Sequence, residues 1–180
     1  MGRYLLPAFV VLMIAAAVAV RLLPHPPNFT PIGTIALFAG LYLAPKTKWG
    51  LLLPIAVMLA TDLFIGVYDI KLMAVVYGSF MAYVGIGWLV GKKKQISTVV
   101  LGTFAGACTF FATTNFAVWA LYSHYPATIE GLVMSYTMAL PFFKYALMGD
   151  LFFVAVFIGS YELATRYLFQ ESSVKKLVYD

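Results

Sequence analysis

Charged residues are scarce in this chain of 180 residues: only 11% are Asp, Glu, Lys or Arg, whereas 63% are hydrophobic. A soluble domain carries about 25% charged residues, and a chain of this size could not hide so much apolar material from water. We therefore expect lipid to be the solvent for most of its surface. The predicted fold class is an all-α integral membrane protein.

Cysteine is nearly absent as well. The single residue, Cys108, excludes an intrachain disulfide and leaves the redox compartment open. A lone cysteine in an apolar run is normally a small apolar filler, and a metal role for Cys108, His25 or His124 is the minor alternative. No metal site and no cofactor is predicted.

The chain also lacks the motifs of common enzymes and of nucleic-acid-binding proteins. Its net charge of +5 is not arranged as a basic stripe with interleaved aromatic residues, so no nucleic-acid partner is expected. It has no Ser–His pair, zinc motif or phosphate loop. Tyr68-Asp69 and Gly149-Asp150 resemble the paired motifs of intramembrane aspartyl proteases, but Leu147 stands where that family needs a glycine. We expect no enzymatic activity.

What the chain does contain is a series of long apolar runs. A hydrocarbon core of about 30 Å takes roughly 20 helical residues to cross. Six runs suit a helix, and together they predict one transmembrane domain over residues 1–180, folded as a six-helix transmembrane bundle. The predicted spans are residues 4–23, 31–44, 49–68, 71–91, 98–122 and 141–169. The second is short for a full crossing, and residues 132–140 are interpreted as a half-helix or a loop lid.

The distribution of lysine and arginine predicts that both termini are cytoplasmic, in a multi-pass protein of the cytoplasmic (inner) cell membrane. With the N-terminus inside, the cytoplasmic side receives Arg3, Lys46, Lys48, Lys92, Lys93, Lys94, Arg166, Lys175 and Lys176. The outer side receives Arg21 and Lys71, with Lys144 just inside the sixth span. A cleaved signal peptide ending near residues 17–19 is the alternative interpretation of the first run, although its length suits a span better.

Polar residues cluster at one predicted depth, beneath two stiff loops on the predicted outer side. Four prolines fix the backbone around His25 and Asn28 in the first loop, and Pro126 does the same in the loop after the fifth span. Charged residues inside spans are costly and usually face a cavity or a partner. The predicted substrate-binding residues are His25, Asn28, Asp62, Tyr83, Asn115, Trp119, Tyr122, Lys144 and Asp150.

Two compatible interpretations explain this polar layer. The formal charges of Arg21 and Lys144 cancel those of Asp62 and Asp150, so a salt-bridge network that holds the helices together is one. The other is a polar pocket open to the outside, walled by Tyr77, Tyr83, Trp119 and Tyr122. We expect Asp62 to pair with Arg21 or Lys144, because an unpaired charge at that depth would destabilise the protein.

Several runs resemble an uncharacterised bacterial membrane family. They are residues 24–33 (PHPPNFTPIG), 36–40 (ALFAG), 61–63 (TDL) with Gly66, 114–116 (TNF) with Trp119, and 141–143 (PFF). This resemblance transfers no activity.

The predicted architecture resembles the substrate-binding membrane subunit, the S component, of energy-coupling factor (ECF) vitamin transporters. The shared features are six short helices, stiff outer loops over a polar pocket, and the small pair Ala15 and Ala19 on the first helix. The resemblance implies a vitamin-like small molecule bound from outside, a coupling face at Ala15 and Ala19, and a membrane coupling subunit with ATPases as partners. The alternative is a non-catalytic structural or accessory subunit of a larger membrane complex.

Overall fold

The computed structural model describes residues 2–167, except for the side chains of Arg3, Leu5 and Leu6. Within these residues the chain forms six helices. Their bounds are α1 Gly2–Leu22, α2 Ile32–Leu43, α3 Lys48–Ile65, α4 Ile70–Gly91, α5 Ile96–Leu121 and α6 Ile129–Tyr167. Lys175, Lys176 and the predicted end of the sixth span at residue 169 lie outside the described residues.

Four of these helices, α3 to α6, are long and apolar enough to cross a membrane. Their mean hydropathy over 18 residues is 1.6 to 1.7. Large apolar side chains stand on the outside of the protein; Leu63 and Phe64, for example, are each 77% exposed. All the regular secondary structure within residues 2–167 is helical. Water does not tolerate such an apolar surface and lipid does, so the helices indicate a membrane-embedded protein.

The shortest helix, α2, lies at the centre. Every residue from Pro31 to Tyr42 is buried, because α2 packs against α3, α4, α5 and α6. At about 1.5 Å of rise per residue α2 covers about 18 Å, well short of a hydrocarbon core of about 30 Å. The second predicted span is therefore too short for a full crossing, in agreement with the sequence analysis.

Glycines allow α2 to approach α4 closely. A Cβ atom on Gly40 would lie 2.1 Å from the carbonyl oxygen of Val84, and one on Gly87 would lie 2.4 Å from that of Leu37. Small residues at such a crossing let two helices in lipid pack backbone against backbone. This close contact sets the position of α4 relative to α2, and therefore the position of Tyr83, which lies on the neighbouring turn of α4.

The connecting loops lie at two ends of the molecule. The proline-rich end carries residues 23–31, 66–69 and 122–128, and the lysine-rich end carries residues 44–47 and 92–95. At the lysine-rich end Lys94 Nζ lies 2.6 Å from the carboxylate of Glu162 on α6, and Tyr42 of α2 also donates to that carboxylate. At the proline-rich end the hydroxyl of Tyr122 donates to Asp69, which joins two loops.

The sixth helix begins earlier than predicted. The side chain of Thr128 accepts a hydrogen bond from the Gly131 N–H and caps the helix, so residues 132–140 are its first turns and not a loop. Ser135 and Tyr136 donate to backbone carbonyls of α5, which holds this segment in place. Pro141 lies inside α6 and does not start it. Proline is common in the first turn of helices, and here tertiary packing overrides that preference.

Candidate ligand-binding site

A cavity of about 350 Å³ lies at the proline-rich end, directly over the first turn of α2. All six helices and the 23–31 loop contribute to its lining. The cavity exists because α2 is shorter than the helices around it, so that no backbone fills the space beyond Ile32. Its volume falls within the range of roughly 300 to 1,000 Å³ that small-molecule sites occupy.

The floor of the cavity is formed by Asp150 of α6 and Tyr83 of α4. Asp150 is only 7% exposed, and its Oδ2 lies 2.9 Å from the Tyr83 hydroxyl. The same hydroxyl lies 2.8 Å from the carbonyl oxygen of Thr103 on α5. On α2, Thr34 donates to the backbone carbonyl of Asp150 at 3.2 Å. Four helices therefore meet around one carboxyl group.

Two glycines make room for the Tyr83 ring. A Cβ atom on Gly106 would lie 1.7 Å from ring atom Cε2, and one on Gly33 would lie 2.6 Å from Cε1. The Gly33 Cβ would also lie 2.2 Å from Asp150 Oδ1. Any side chain at either position would displace the ring or the carboxylate, so only glycine fits.

Arg21 and Asp62 form an ion pair in the cavity wall. Arg21 Nη2 lies 2.8 Å from Asp62 Oδ1, and the Tyr77 hydroxyl donates to Oδ2 at 2.6 Å. Arg21 also donates to the sulfur of Met58. Asp62 is 2% exposed, so it is a buried carboxylate with a countercharge and two donors. The prediction that Asp62 pairs with Arg21 or Lys144 is confirmed, with Arg21 as the partner.

The 23–31 loop covers one side of the cavity mouth. The Phe29 N–H donates to the Pro26 carbonyl and closes a turn, in which Asn28 has a positive φ of 63°. The Phe29 ring packs against Phe153 of α6, with 5.5 Å between ring centroids. The loop is thereby held against α6, and it presents His25 and Asn28 to the cavity.

Tyr68 closes the opposite side of the mouth, from the 66–69 loop. Burial, followed by the nearby carboxylate of Asp62, raises the pKa of Tyr68 above its ordinary value. Its phenol therefore stays protonated through the physiological pH range and is available as a hydrogen-bond donor at the entrance.

Residues 4–173 match the model of a family described as a family of unknown function, DUF6580. The chain belongs to this family. The match covers all six helices, and it agrees with the resemblance to an uncharacterised family in the sequence analysis. No curated protein and no solved structure matches the chain. Family membership therefore supplies no activity, and function has to be argued from the site.

Four of the predicted substrate-binding residues line this cavity, namely His25, Asn28, Tyr83 and Asp150. A smaller cavity of about 160 Å³ lies next to α5 and α6, and Asn115 lines it together with Asn28. The Asn115 amide donates to the Phe111 carbonyl within its own helix. Asp62 does not line the cavity; it lies behind Arg21 and is connected to the site through the ion pair with Arg21.

The structure does not bring Trp119, Tyr122 or Lys144 to the cavity. Trp119 and Tyr122 line a shallow depression at the 122–128 loop, because α5 has 26 residues against 22 in α4 and carries them past the cavity mouth. Lys144 is exposed and has no ion pair within residues 2–167. It points away from Asp150 because six residues turn an α-helix by about 600°, which leaves the two side chains about 120° apart.

Three aromatic residues of the cavity, Tyr68, Phe80 and Phe110, were not among the predicted substrate-binding residues. Phe80 and Phe110 form one wall, with 5.0 Å between their ring centroids. The chain has 15 phenylalanines, most of them in apolar runs, so no sequence signal separates a cavity-lining ring from a lipid-facing one. Among residues 2–167 no group of three or more His, Cys, Asp or Glu side chains is placed to hold a metal ion.

Proposed function

We propose that this chain is a substrate-binding membrane protein of an uptake system, with the cavity of about 350 Å³ as its substrate site. The observation that carries the proposal is the cavity over the truncated central helix, polar at its floor and stiffly covered at its mouth. Transporter sites commonly lie near the middle of the bilayer, where a discontinuous helix leaves room for the substrate. Irregular backbone at membrane depth is tolerated where it lines such a cavity.

The proposed orientation has the lysine-rich end in the cytoplasm, in the cytoplasmic membrane of the cell. The loops at this end carry Lys46 and Lys92–Lys94, and the positive-inside rule assigns such loops to the cytoplasm. Along α6, Asp150 is about 18 Å from Glu162 at that end, so its carboxyl lies near the middle of a core of about 30 Å. Lys144 is about 27 Å from Glu162, near the outer boundary, where an exposed ammonium reaches the headgroups.

This orientation is tested by cysteine labelling of intact cells with a membrane-impermeant thiol reagent, in a Cys108→Ser background. Ser123→Cys should be labelled and Lys93→Cys should be labelled only after the membrane is opened. Labelling of Lys93→Cys in intact cells, with Ser123→Cys protected, would reverse the orientation.

We also propose that the six helices form a transmembrane bundle of the S-component kind, coupled to a membrane partner with ATPases. What supports this is an exposed face of α1 that no described helix covers. Ala15 and Ala19 lie on it next to Val11 and Leu12, which are 66% and 60% exposed, whereas Ala17 is fully buried. Small residues four apart make a smooth surface that suits close packing of a partner helix.

One matched pair of variants tests substrate binding, and a third variant tests coupling. Native mass spectrometry of the purified wild-type protein should show a retained small molecule. Ala146→Phe, which fills the cavity, should lose it, and Ala155→Phe on the exposed side of the same helix should keep it. Ala15→Leu should keep the small molecule and impair uptake into cells.

The opposite pattern favours the alternative function. If the wild-type protein retains no small molecule and Ala15→Leu instead destroys a stable complex with another membrane protein, the chain is a structural or accessory subunit. The transport proposal would then be abandoned.

A further inference from the structure

The floor of the cavity holds a carboxyl group, that of Asp150, which has no cationic partner among residues 2–167. From this we infer that the substrate is a small organic cation, an ammonium group on an apolar body, whose charged nitrogen rests against Asp150. The inference rests on the proposed function, because it names the substrate class of that same site.

The charges around the cavity leave Asp150 without a countercharge. Arg21 is the permanent cation in the cavity lining, and its guanidinium lies 2.8 Å from Asp62. That ion pair is neutral as a unit. His25 stands at the mouth, exposed, with Nδ1 held 2.7 Å from the Leu23 carbonyl. The cavity therefore has a formal charge of one negative unit, located at its floor, when Asp150 is ionised and His25 is neutral.

Tyr83 cannot compensate this charge by itself. A phenol has one hydrogen, and the Tyr83 hydroxyl faces two acceptors, the Thr103 carbonyl at 2.8 Å and Asp150 Oδ2 at 2.9 Å. The carboxylate thus receives at most a shared hydrogen bond. Because Asp150 is 7% exposed and receives so few hydrogen bonds, keeping its carboxylate ionised costs free energy. A cation beside the carboxylate removes that cost.

The second carboxylate oxygen is open to the cavity. No hydrogen bond to Asp150 Oδ1 forms within residues 2–167, and no fully buried side-chain oxygen there lacks a partner, so Oδ1 keeps access to the cavity. Gly33 lies beside it and also lines the cavity; a side chain there would collide with Oδ1. The open oxygen is the contact point for the cationic nitrogen.

The walls suit the rest of such a ligand. The rings of Tyr68, Phe80 and Phe110 line the cavity together with that of Tyr83. Aromatic faces attract ammonium groups through the ring quadrupole and also pack against an apolar body. A ligand that combines an ammonium group with a compact apolar part matches both the floor and the walls.

Three probes of one shape and different charge test this inference on the full chain in lipid nanodiscs. They are benzylammonium, benzyl alcohol and benzoate, with binding followed by calorimetric titration. We expect the cation to bind at least about tenfold more tightly than the other two, the difference that one compensated charge supplies. Asp150→Asn should remove this preference, whereas Asp69→Asn, the same change in an exposed loop, should keep it.

Two controls keep the result interpretable if Asp150→Asn folds poorly. The preference among the probes is measured on the wild-type protein and needs no variant. Tyr83→Phe keeps the ring and the carboxylate and removes only the shared donor, so it should bind the cation more tightly than the wild-type protein does.

The outcomes separate the substrate class from the proposed function. If benzyl alcohol binds as well as the cation and Asp150→Asn changes neither, Asp150 is protonated and the cation inference is wrong, although the cavity still binds a ligand. If benzoate binds best, Arg21 is the recognition group and the inference is equally wrong. If no probe binds and native mass spectrometry finds no retained molecule, the proposed function fails and the inference fails with it.

Discussion

Replacing Gly106 by alanine should disrupt the floor of the cavity from a position that contacts no ligand. The added methyl group would lie 1.7, 2.0 and 2.2 Å from three atoms of the Tyr83 ring. Real carbon atoms do not approach so closely, and the Tyr83 ring is packed between Gly33 and Gly106, with only 1% of the residue exposed. The ring has to move, and its hydroxyl then leaves Asp150 and Thr103.

Two costs and one gain determine how far Gly106→Ala changes the free energy of unfolding. Overpacking a close-packed interior costs about 1 to 3 kcal/mol, and a buried group left without its hydrogen bond costs about 1 to 3 kcal/mol more. Alanine gains about 1 kcal/mol over glycine in a helix interior. We therefore expect Gly106→Ala to lower the free energy of unfolding by about 1 to 5 kcal/mol.

The matched control is Gly85→Ala on α4, where nothing lies within 4 Å of the added methyl group. Its free energy of unfolding should stay unchanged or rise by up to about 1 kcal/mol. Reversible denaturation in mixed micelles measures both variants. In a Tyr83→Ala background Gly106→Ala should cost little, because the clash is gone. If Gly106→Ala is as stable as Gly85→Ala, or if its cost persists without the Tyr83 ring, the packing argument is refuted.

Three further predictions concern contacts outside that floor. Asp62→Ala should destabilise the protein by about 3 kcal/mol, because it leaves Arg21 unpaired, and Asp62→Leu combined with Arg21→Met should recover most of the loss in the same denaturation assay. Gly87→Ala should destabilise by at least about 2 kcal/mol, since its methyl group would lie 2.4 Å from a backbone carbonyl of α2 that cannot move alone. Hydrogen bonds, first from Tyr122 and then from backbone N–H groups, lower the pKa of Asp69 below its ordinary value of 3.8, so this loop contact should be complete above that pH and be lost only as the pH falls through the lowered value. Protection factors of amides in the 122–128 loop, from which the pH dependence of the intrinsic exchange rate is removed, should accordingly be alike for the wild-type protein at pH values near 5 and near 7, and smaller in Asp69→Asn at both.

Much of the fold was predictable because membrane helices reveal themselves through composition. Six apolar runs became six helices, with ends that moved by three residues or fewer except at the start of α6, and the predicted end of the sixth run lies outside the described residues. The ion pair was predictable for the same reason. Arg21 and Asp62 lie near the ends of runs that meet at one side, and lipid leaves a buried charge no partner except another side chain.

The central position of α2 was not predictable from the sequence. A helix surrounded by protein and a helix surrounded by lipid are both apolar all round, so hydropathy does not distinguish them. The same ambiguity hid Phe80 and Phe110. Trp119 and Lys144 were assigned to the cavity from their predicted depth alone. Depth does not determine which side of a helix faces the cavity, or how far the α5–α6 hairpin extends past the cavity mouth.

The length of α2 links the architecture to the proposed chemistry. Its residues stop about 12 Å short of a full crossing, while α3 to α6 are long enough to complete one, so the protein encloses a space beyond Ile32 and Gly33, the residues of α2 that line it. The positions of the charged groups can be described relative to this space. Arg21 and Asp150 line the cavity, Asp62 stands directly behind Arg21, and Lys144 stands outside, near the proposed headgroup level. A helix of full length in the position of α2 would fill the cavity and bury Asp150 against apolar atoms, at a cost that nothing in the surrounding helices offsets. The short helix and the buried carboxylate are therefore one structural feature, and both are explained if a ligand from the proline-rich end completes the site.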